Sequence, residues 1–223
     1  MVAPAQPHIP QIVVLISGSG SNLQAIIDNV DSGEIEANIA AVISNRPGVK
    51  GLERAAQAGI ATHVLDHKEH ESREAFDAAM IRQIDELQPD LIVLAGFMRI
   101  LTSDFVRRYE GRMLNIHPSL LPKYRGLHTH QRALDAGDSE HGVTVHFVTE
   151  ELDGGPLILQ AIVPISEGDS AEDLAGRVLV QEHLIYPMAI KWFSAGRLSY
   201  HNGRVTMDKQ PLPATGLQLD SRE

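Results

Sequence analysis

The segment Met113–Gly126, M-L-N-I-H-P-S-L-L-P-K-Y-R-G, contains the pattern around which the fold is organised. Its apolar beginning ends abruptly at His117-Pro118, which predicts a buried strand that proline stops. Asn115 and His117 lie two positions apart, so on a strand their side chains leave from the same face. A carboxamide and an imidazole there can donate hydrogen bonds to a carbonyl oxygen that becomes negative during a reaction. An isolated pair of this kind is more often a buried histidine with satisfied hydrogen bonds, so the surrounding sequence must decide.

The rest of the chain alternates strand and helix patterns, which predicts an α/β fold. We expect one domain over residues 1–223, with a mostly parallel twisted sheet, helices on both faces and late strands that pair antiparallel. Asn202-Gly203 predicts a C-terminal hairpin, residues 1–11 a flexible arm, and residues from about 211 to 223 a mobile tail. The predicted strands are Ile12–Ser17, Ile39–Ser44, Thr62–Leu65, Leu91–Ala95, Gly142–Val148 and Leu157–Pro164, and the longer predicted helices are Val49–Ala58, Ser72–Leu87, Thr129–Ala136 and one that runs from a cap at Ser170 to about Ser194.

The composition limits the classes of function. A net charge of −10 argues against a nucleic acid or an anionic membrane as partner. The chain has no cysteine, so a disulfide framework and a thiolate metal site are excluded. The start of the chain lacks the features of a secretory signal and no apolar run reaches membrane-spanning length, so we expect a cytoplasmic protein. His128 and His130 suggest a metal site, but without cysteine or a helical H-E-x-x-H motif we expect no metal.

A glycine-rich segment, Gly18–Asn22, follows the first predicted strand and precedes a helical pattern. Its backbone amides and the helix N-terminus favour an anion. A dinucleotide site would need a third glycine, where the chain has Leu23, and an acidic residue after the second strand, where it has Ser44-Asn45. A monophosphate site therefore fits better, although a tight turn without a ligand explains this segment equally well.

Two further loops can carry function. Leu91–Ala95 leads into the apolar segment Gly96–Leu101, and apolar loops at the carboxyl ends of strands bind ligands in α/β sheets. An equally good interpretation is that this segment only seats the next helix. The acidic segment Thr149–Pro156 ends in Asp-Gly-Gly-Pro, which fixes the backbone around Asp153, and solvated surface loops seldom require this.

The longer motifs carry a family resemblance. H-P-S-L-L-P-x-x-R-G, here His117–Gly126, with the flanking L-N-I and the downstream G-L-H-T-H, resembles the signature of the folate-dependent formyltransferases. The similarity runs from about Ile12 to Pro213. It implies a Rossmann-like fold and an enzyme that transfers the formyl group of 10-formyltetrahydrofolate, as co-substrate, to the amine of 5-phosphoribosylglycinamide in purine biosynthesis. Both substrates are small molecules, and we expect a monomer or a weak homodimer.

The resemblance also implies roles for individual residues. Asn115 and protonated His117 would hold the oxyanion of a tetrahedral intermediate, while Asp153 would keep His117 charged and assist proton transfer. Gly20, Ser21 and Asn22 would bind the phosphate, and Glu182 would contact the ribonucleotide. The folate-binding residues would be Arg73, Met98, Arg99, Ile100, Leu101, Asn115, Thr149, Glu150, Glu151, Leu152 and Asp153.

Related activities remain as alternatives. A formyltransferase for methionyl-tRNA would carry a basic domain, which the short remainder after Met207 is not expected to supply, and an enzyme for sugar-nucleotide amines would share the same core. A formyltetrahydrofolate hydrolase would carry an N-terminal regulatory domain, for which we expect no room before Ile12. A non-catalytic sensor of phosphorylated metabolites would explain the glycine-rich segment but would leave Asn115, His117 and Asp153 without a use.

Overall fold

The strands of the computed structural model, which describes residues 8–222, form two sheets. Residues 1–7 of the expected arm lie outside the described residues, and the first strand already begins at Gln11. The strands are β1 (Gln11–Ile16), β2 (Asn38–Ser44), β3 (Thr62–Val64), β4 (Leu91–Leu94), β5 (Met113–His117), β6 (Glu140–Phe147), β7 (Leu157–Pro164), β8 (Leu198–His201), β9 (Arg204–Met207), β10 (Gln210–Pro211) and β11 (Leu217–Asp220). The larger sheet has the order β11-β7-β6-β5-β4-β1-β2-β3, and the smaller has the order β10-β9-β8.

The pairing directions confirm the predicted mixed sheet. Strands β1 to β5 pair parallel, whereas β6 pairs antiparallel with both β5 and β7. The chain adds β2 and β3 on one side of β1 and then crosses to β4 on the other side. The carboxyl ends of β1 and β4 therefore flank a topological switch point, which is where open α/β sheets bind ligands.

Helices cover both faces of the large sheet, as predicted. They are α1 (Ser21–Asp31), α2 (Lys50–Gln57), α3 (Arg73–Leu87), α4 (Ser103–Arg108), α5 (Thr129–Asp135) and α6 (Ala171–Ser194). Alternate residues of β1 point to opposite faces, so Ile12 and Val14 join the buried cluster of α1 and α6, while Val13 and Leu15 join that of α3 and α4. No helix within residues 8–222 is long and apolar enough to cross a membrane.

Local signals place several element boundaries. The Ser72 side chain caps α3 by accepting a hydrogen bond from a backbone N–H of the first turn. Ser170 and Asp173 form a reciprocal capping box at the start of α6, as their spacing predicts. Asn202 and Gly203 both have positive φ, 49° and 76°, in the turn between the antiparallel strands β8 and β9. The predicted hairpin is therefore confirmed, and its turn has the conformation that Asn-Gly favours.

The C-terminal segment differs from the expected mobile tail. Residues 217–220 form β11, which pairs parallel with β7, and the Gln218 amide donates a hydrogen bond to the Gln160 side chain at 2.9 Å. Gly216 permits the close approach, because its φ is +68° and a Cβ atom there would lie 2.7 Å from the carbonyl group of Ile158. The strand covers an edge of β7 that would otherwise present unpaired backbone groups.

Candidate active site

A cleft of about 590 Å³ opens at the carboxyl edge of the sheet and draws on every segment that the sequence singles out. Residues that line it include Asn22, Met98, Asn115, His117, Asp153 and Glu182. The loops meet there because β1, β4 and β5 are neighbouring parallel strands, whose carboxyl ends lie at one edge. Below, the polar cluster denotes Asn115, His117 and Asp153, the glycine loop denotes residues 18–22, and the apolar loop denotes residues 96–101.

His117 lies at the buried end of β5, and both of its ring nitrogens face a polar atom. Its Nε2 lies 2.8 Å from the carbonyl oxygen of Tyr124, and because a carbonyl oxygen can only accept, Nε2 carries a hydrogen. Its Nδ1 lies 3.5 Å from Oδ2 of Asp153. The Tyr124 carbonyl therefore fixes the ring, and Nδ1 is the nitrogen that can exchange a proton with Asp153 or with a molecule in the cleft.

Asp153 is held by a tight turn that follows β6. Its φ is +49°, and its Oδ2 accepts the backbone N–H of Gly126 at 2.9 Å. Gly155 is required nearby, since a Cβ atom at this position would lie 1.7 Å from the carbonyl oxygen of Phe147. The Asp-Gly-Gly-Pro motif thus fixes one carboxylate, whose side chain is only 8% exposed, beside His117.

Asn115 is oriented by a residue that the sequence pattern does not single out. Its Nδ2 lies 3.2 Å from Nε2 of His146, which is its partner in the register of β5 and β6. His146 donates from Nδ1 to the carbonyl oxygen of Phe147 at 2.9 Å, so its Nε2 keeps a lone pair that accepts from Asn115. Burial lowers the pKa of His146 to about 4, so this ring is neutral near pH 7. The second N–H of the Asn115 amide remains available to a ligand.

The glycine loop ends at the N-terminus of α1 and packs closely against α2. Gly20 has a φ of +71°, and a Cβ atom there would lie 2.6 Å from Cα of Gly51. Gly51 in turn donates its backbone N–H to the carbonyl oxygen of Gly18 at 3.0 Å. The first turn of α1 contains no acidic side chain, so the helix N-terminus keeps its attraction for an anion.

Asn22 and Glu182 form a second polar pair on the wall of the cleft. Nδ2 of Asn22 donates to Oε2 of Glu182 at 2.7 Å, and burial raises the pKa of this carboxyl group. Oδ1 of Asn22 is buried and has no hydrogen-bond partner in the part of the chain that the structure describes. A buried acceptor without a partner is costly, so a hydroxyl or N–H of a ligand would be stabilised there.

The apolar loop exposes large side chains to the cleft. Met98 and Ile100 are 61% and 57% exposed, although such side chains usually lie inside a protein. The guanidinium of Arg99 lies 4.9 Å from the centre of the Phe76 ring, and its Nε is buried without a partner among residues 8–222. A smaller cavity of about 110 Å³ continues along Leu101 and residues 149–153. These walls suit a flat and largely apolar ligand.

Some of the predicted folate-binding residues face other partners. Arg73 is exposed in the first turn of α3 and lines neither cavity. Glu150 lines the smaller cavity but pairs with Arg107 at 2.8 Å, and Glu151 pairs with Arg125. The structure therefore brings together the polar cluster and the two loops but leaves Arg73 outside.

His130, in the first turn of α5, pairs with His141 of β6. Nδ1 of His130 lies 3.1 Å from Nε2 of His141, and burial lowers the pKa of His141 to about 4. His128 and His130 both line the cleft. Over residues 8–222, no group of three or more His, Cys, Asp or Glu side chains is arranged to hold a metal ion.

Comparisons with known proteins agree with one another. Residues 10–190 match a family model described as formyl transferase. A phosphoribosylglycinamide formyltransferase from Escherichia coli (strain K12) is 59% identical over 94% of this chain and 99% of that protein, and one from Haemophilus influenzae is 52% identical over 92% and 97%. A solved structure of a phosphoribosylglycinamide formyltransferase in complex with CHES, from Coxiella burnetii, has a TM-score of 0.91 and 54% identity over 95% of this chain and 100% of that one.

Proposed function

The chain belongs to the formyl transferase family, and on that premise we propose that it transfers the formyl group of 10-formyltetrahydrofolate to the amine of 5-phosphoribosylglycinamide in de novo purine biosynthesis. The observation that carries the proposal is the convergence of the polar cluster, the glycine loop and the apolar loop on one cleft. A reacting carbonyl, a phosphate and a folate ring need these three environments side by side. We extend the proposal to a cytoplasmic enzyme that is a monomer or a weak homodimer.

Formyl transfer forms one C–N bond and breaks another. The amine nitrogen of the acceptor attacks the formyl carbon, and the carbonyl oxygen becomes an oxyanion. The tetrahedral intermediate collapses when the bond to N10 of the folate breaks. One proton must leave the attacking nitrogen and one must reach the leaving nitrogen, so the site needs both oxyanion donors and a proton carrier.

Asn115 and His117 are the proposed oxyanion donors. The free N–H of the Asn115 amide and the Nδ1–H of His117 belong to side chains on the same strand that both line the cleft. His146 and the Tyr124 carbonyl hold these two side chains before any substrate binds. Such preorganised donors stabilise charge that develops in the transition state without further reorganisation.

Asp153 is the proposed proton carrier. Its carboxylate lies 3.5 Å from Nδ1 of His117, where it stabilises the imidazolium form. It accepts a proton from the attacking amine, directly or through water, and delivers it to the leaving nitrogen of the folate. The net reaction leaves Asp153 and His117 in the protonation states in which they began.

The two substrates occupy opposite ends of the cleft in this proposal. The phosphate of the acceptor binds the backbone N–H groups of Gly20, Ser21 and Asn22 at the start of α1, and its ribose contacts Glu182. The folate ring packs against the apolar loop and residues 149–153, whose side chains line the main and the smaller cavity. Arg73 is exposed and lines neither cavity, so the proposed contact with the folate requires a part of that ligand that extends beyond the cleft.

The test mixes the protein with 10-formyltetrahydrofolate and candidate amines while folate absorbance and free formate are both followed. We expect an absorbance change only when 5-phosphoribosylglycinamide is present, with no formate released. Formate released without an amine would indicate a hydrolase. Formyl transfer to a sugar-nucleotide amine would show that this amine, and not 5-phosphoribosylglycinamide, is the acceptor. Binding of both ligands without turnover would indicate a sensor.

A further inference from the structure

One buried hydroxyl connects the glycine loop with the apolar loop. Ser17 follows β1 directly, precedes the glycine loop and is 2% exposed. Its Oγ accepts the backbone N–H of Met98 at 2.8 Å and donates to Oδ1 of Asn45 at 2.5 Å. Asn45 follows β2 and is also buried. The hydroxyl therefore lies among the ends of the neighbouring strands β4, β1 and β2.

The Ser17 hydroxyl is a hydrogen-bond anchor for the backbone of the apolar loop. Within residues 8–222, the bond to Ser17 is the one hydrogen bond that the backbone of residues 96–101 makes. The next anchor is Thr102, whose N–H donates to the buried carboxylate of Asp77 at 2.7 Å. Met98 and Ile100 expose their side chains, whereas Phe97 and Leu101 are partly buried against the core, so packing holds only part of the loop in the free protein.

The backbone carbonyl groups of Gly18 and Ser19 in the glycine loop are held by α2. The carbonyl oxygen of Gly18 accepts from Gly51, and that of Ser19 accepts from Nε of Arg54 at 2.8 Å. Among residues 8–222, no side chain caps the N–H groups at the start of α1, so they can bind an anion. An anion bound there restricts the backbone that continues into Ser17, and it therefore restricts the hydroxyl that holds Met98.

We propose that Ser17 is a positioning residue that couples the two substrate sites, so that the phosphorylated acceptor at the glycine loop strengthens folate binding at the apolar loop. The inference rests on the proposed function for the identity of the ligands and adds a residue that links their sites. Ordering the apolar loop costs conformational entropy when the folate binds, and this cost is smaller when the loop is already held through Ser17. Because coupling is reciprocal, the folate strengthens acceptor binding by the same factor.

Calorimetric titration of the whole protein with tetrahydrofolate, which has no formyl group to transfer, tests the coupling. We expect binding to tighten by roughly fivefold or more when saturating 5-phosphoribosylglycinamide is present. The coupling ratio is the dissociation constant of tetrahydrofolate without 5-phosphoribosylglycinamide divided by the constant with it. In Ser17→Ala this ratio should fall below about twofold, while the affinity for 5-phosphoribosylglycinamide alone changes little. Ser44→Ala is the matched control, because Ser44 is a fully buried serine at the end of β2 whose Oγ donates to the carbonyl oxygen of Arg46 at 2.6 Å. It should keep the wild-type ratio.

A second variant and a measurement on the wild-type protein guard against misfolding. Asn45→Ala removes the acceptor that orients the Ser17 hydroxyl, so it should also weaken the coupling. In the wild-type protein, 5-phosphoribosylglycinamide alone should slow hydrogen exchange of the Met98 amide. The inference is overturned if the wild-type ratio is one, if Ser44→Ala lowers it as much as Ser17→Ala, or if exchange at Met98 does not change. Failure of either ligand to bind the wild-type protein would instead overturn the proposed function.

Discussion

The polar cluster and the apolar loop border the same cleft but are built in opposite ways. In the polar cluster every side chain has a partner inside the protein: Asn115 has His146, His117 has Tyr124, and Asp153 has Gly126. The apolar loop has one backbone hydrogen bond among residues 8–222 and exposes two large apolar side chains. The protein thus holds the groups that we propose to act on the transition state, and it leaves exposed the apolar side chains that we propose the folate covers.

Substitutions in the two regions should therefore change different kinetic or binding constants. Substitutions in the polar cluster should lower the rate of the chemical step, because we propose that these donors and the carboxylate serve the transition state. Damage to the apolar loop should appear in folate affinity, because this loop contributes surface that the bound ligand covers.

The largest effect is expected for Asp153→Asn. The variant removes the proposed proton carrier and the negative charge beside Nδ1 of His117, so kcat should fall by on the order of a hundred- to a thousandfold or more. Dissociation constants of both substrates should change little, which single-turnover kinetics and calorimetry can measure. Asp135→Asn, on the exposed side of α5, is a control that should keep the wild-type rate. A comparable loss of affinity in Asp153→Asn would contradict the assignment.

The next effect is expected for Ile100→Asp in the apolar loop. A carboxylate covered by the folate without a partner costs several kcal/mol, so the folate dissociation constant should rise by about a hundredfold. Affinity for 5-phosphoribosylglycinamide should stay within about twofold, since we propose that its phosphate binds the glycine loop. Val180→Asp changes a similarly exposed apolar residue on α6 that does not line the cleft and should bind folate normally. Unchanged folate binding in folded Ile100→Asp would place the ring outside this loop.

The two buried histidines of β6 should also make the protein sensitive to acid. Burial lowers the pKa of both His141 and His146 to about 4, against 6.5 when exposed. Between these values the unfolded chain binds protons that the folded chain does not. The free energy of unfolding is therefore highest, as far as these two histidines determine it, above about pH 6.5, and it decreases as the pH falls toward 4. Urea unfolding should show at least about 1 kcal/mol lost per histidine between pH 7 and pH 5. His146→Gln should reduce this loss. If the free energy of unfolding of the wild-type protein does not change between pH 7 and pH 5, the two buried histidines are not held neutral.

The smallest of these effects should come from the orientation of Asn115. His146→Phe keeps a ring of similar size but removes the acceptor for the Asn115 amide, so kcat should fall by about tenfold, as expected for one net hydrogen bond. His146→Gln retains an acceptor and should recover part of that loss, while KM for both substrates stays nearly constant. Equal values of kcat in the two variants would show that the hydrogen bond from Asn115 to His146 does not affect the rate.

Much of the fold follows from short-range signals in the sequence. The proline after His117 ends β5, the serine caps begin α3 and α6, and Asn-Gly turns the hairpin. The edge strand β11 could not be predicted in this way, because its four residues are stable only against β7 and have no strong pattern of their own. Its position depends on long-range pairing and on the close approach at Gly216.

The residues of the candidate site also differ in whether short-range sequence signals could predict them. Asn115, His117 and Asp153 could be proposed from motifs, and the structure places them around one cleft. His146 and Ser17 could not, because their roles depend on which strands become neighbours: one lies opposite Asn115 in an antiparallel register, and the other meets a loop 81 residues away. Arg73 shows the reverse case, since the resemblance places it at the folate while its side chain is exposed outside both cavities.

The most direct test of the account is a double-mutant cycle on single-turnover rates for Asp153→Asn, His117→Ala and the double variant. If Asp153 and His117 act as one unit on a single tetrahedral intermediate, the losses should be strongly non-additive. The double variant should then react nearly as fast as the slower single variant, with both substrates still bound. If the two losses in rate simply multiply, the residues act independently and the proposed unit is wrong.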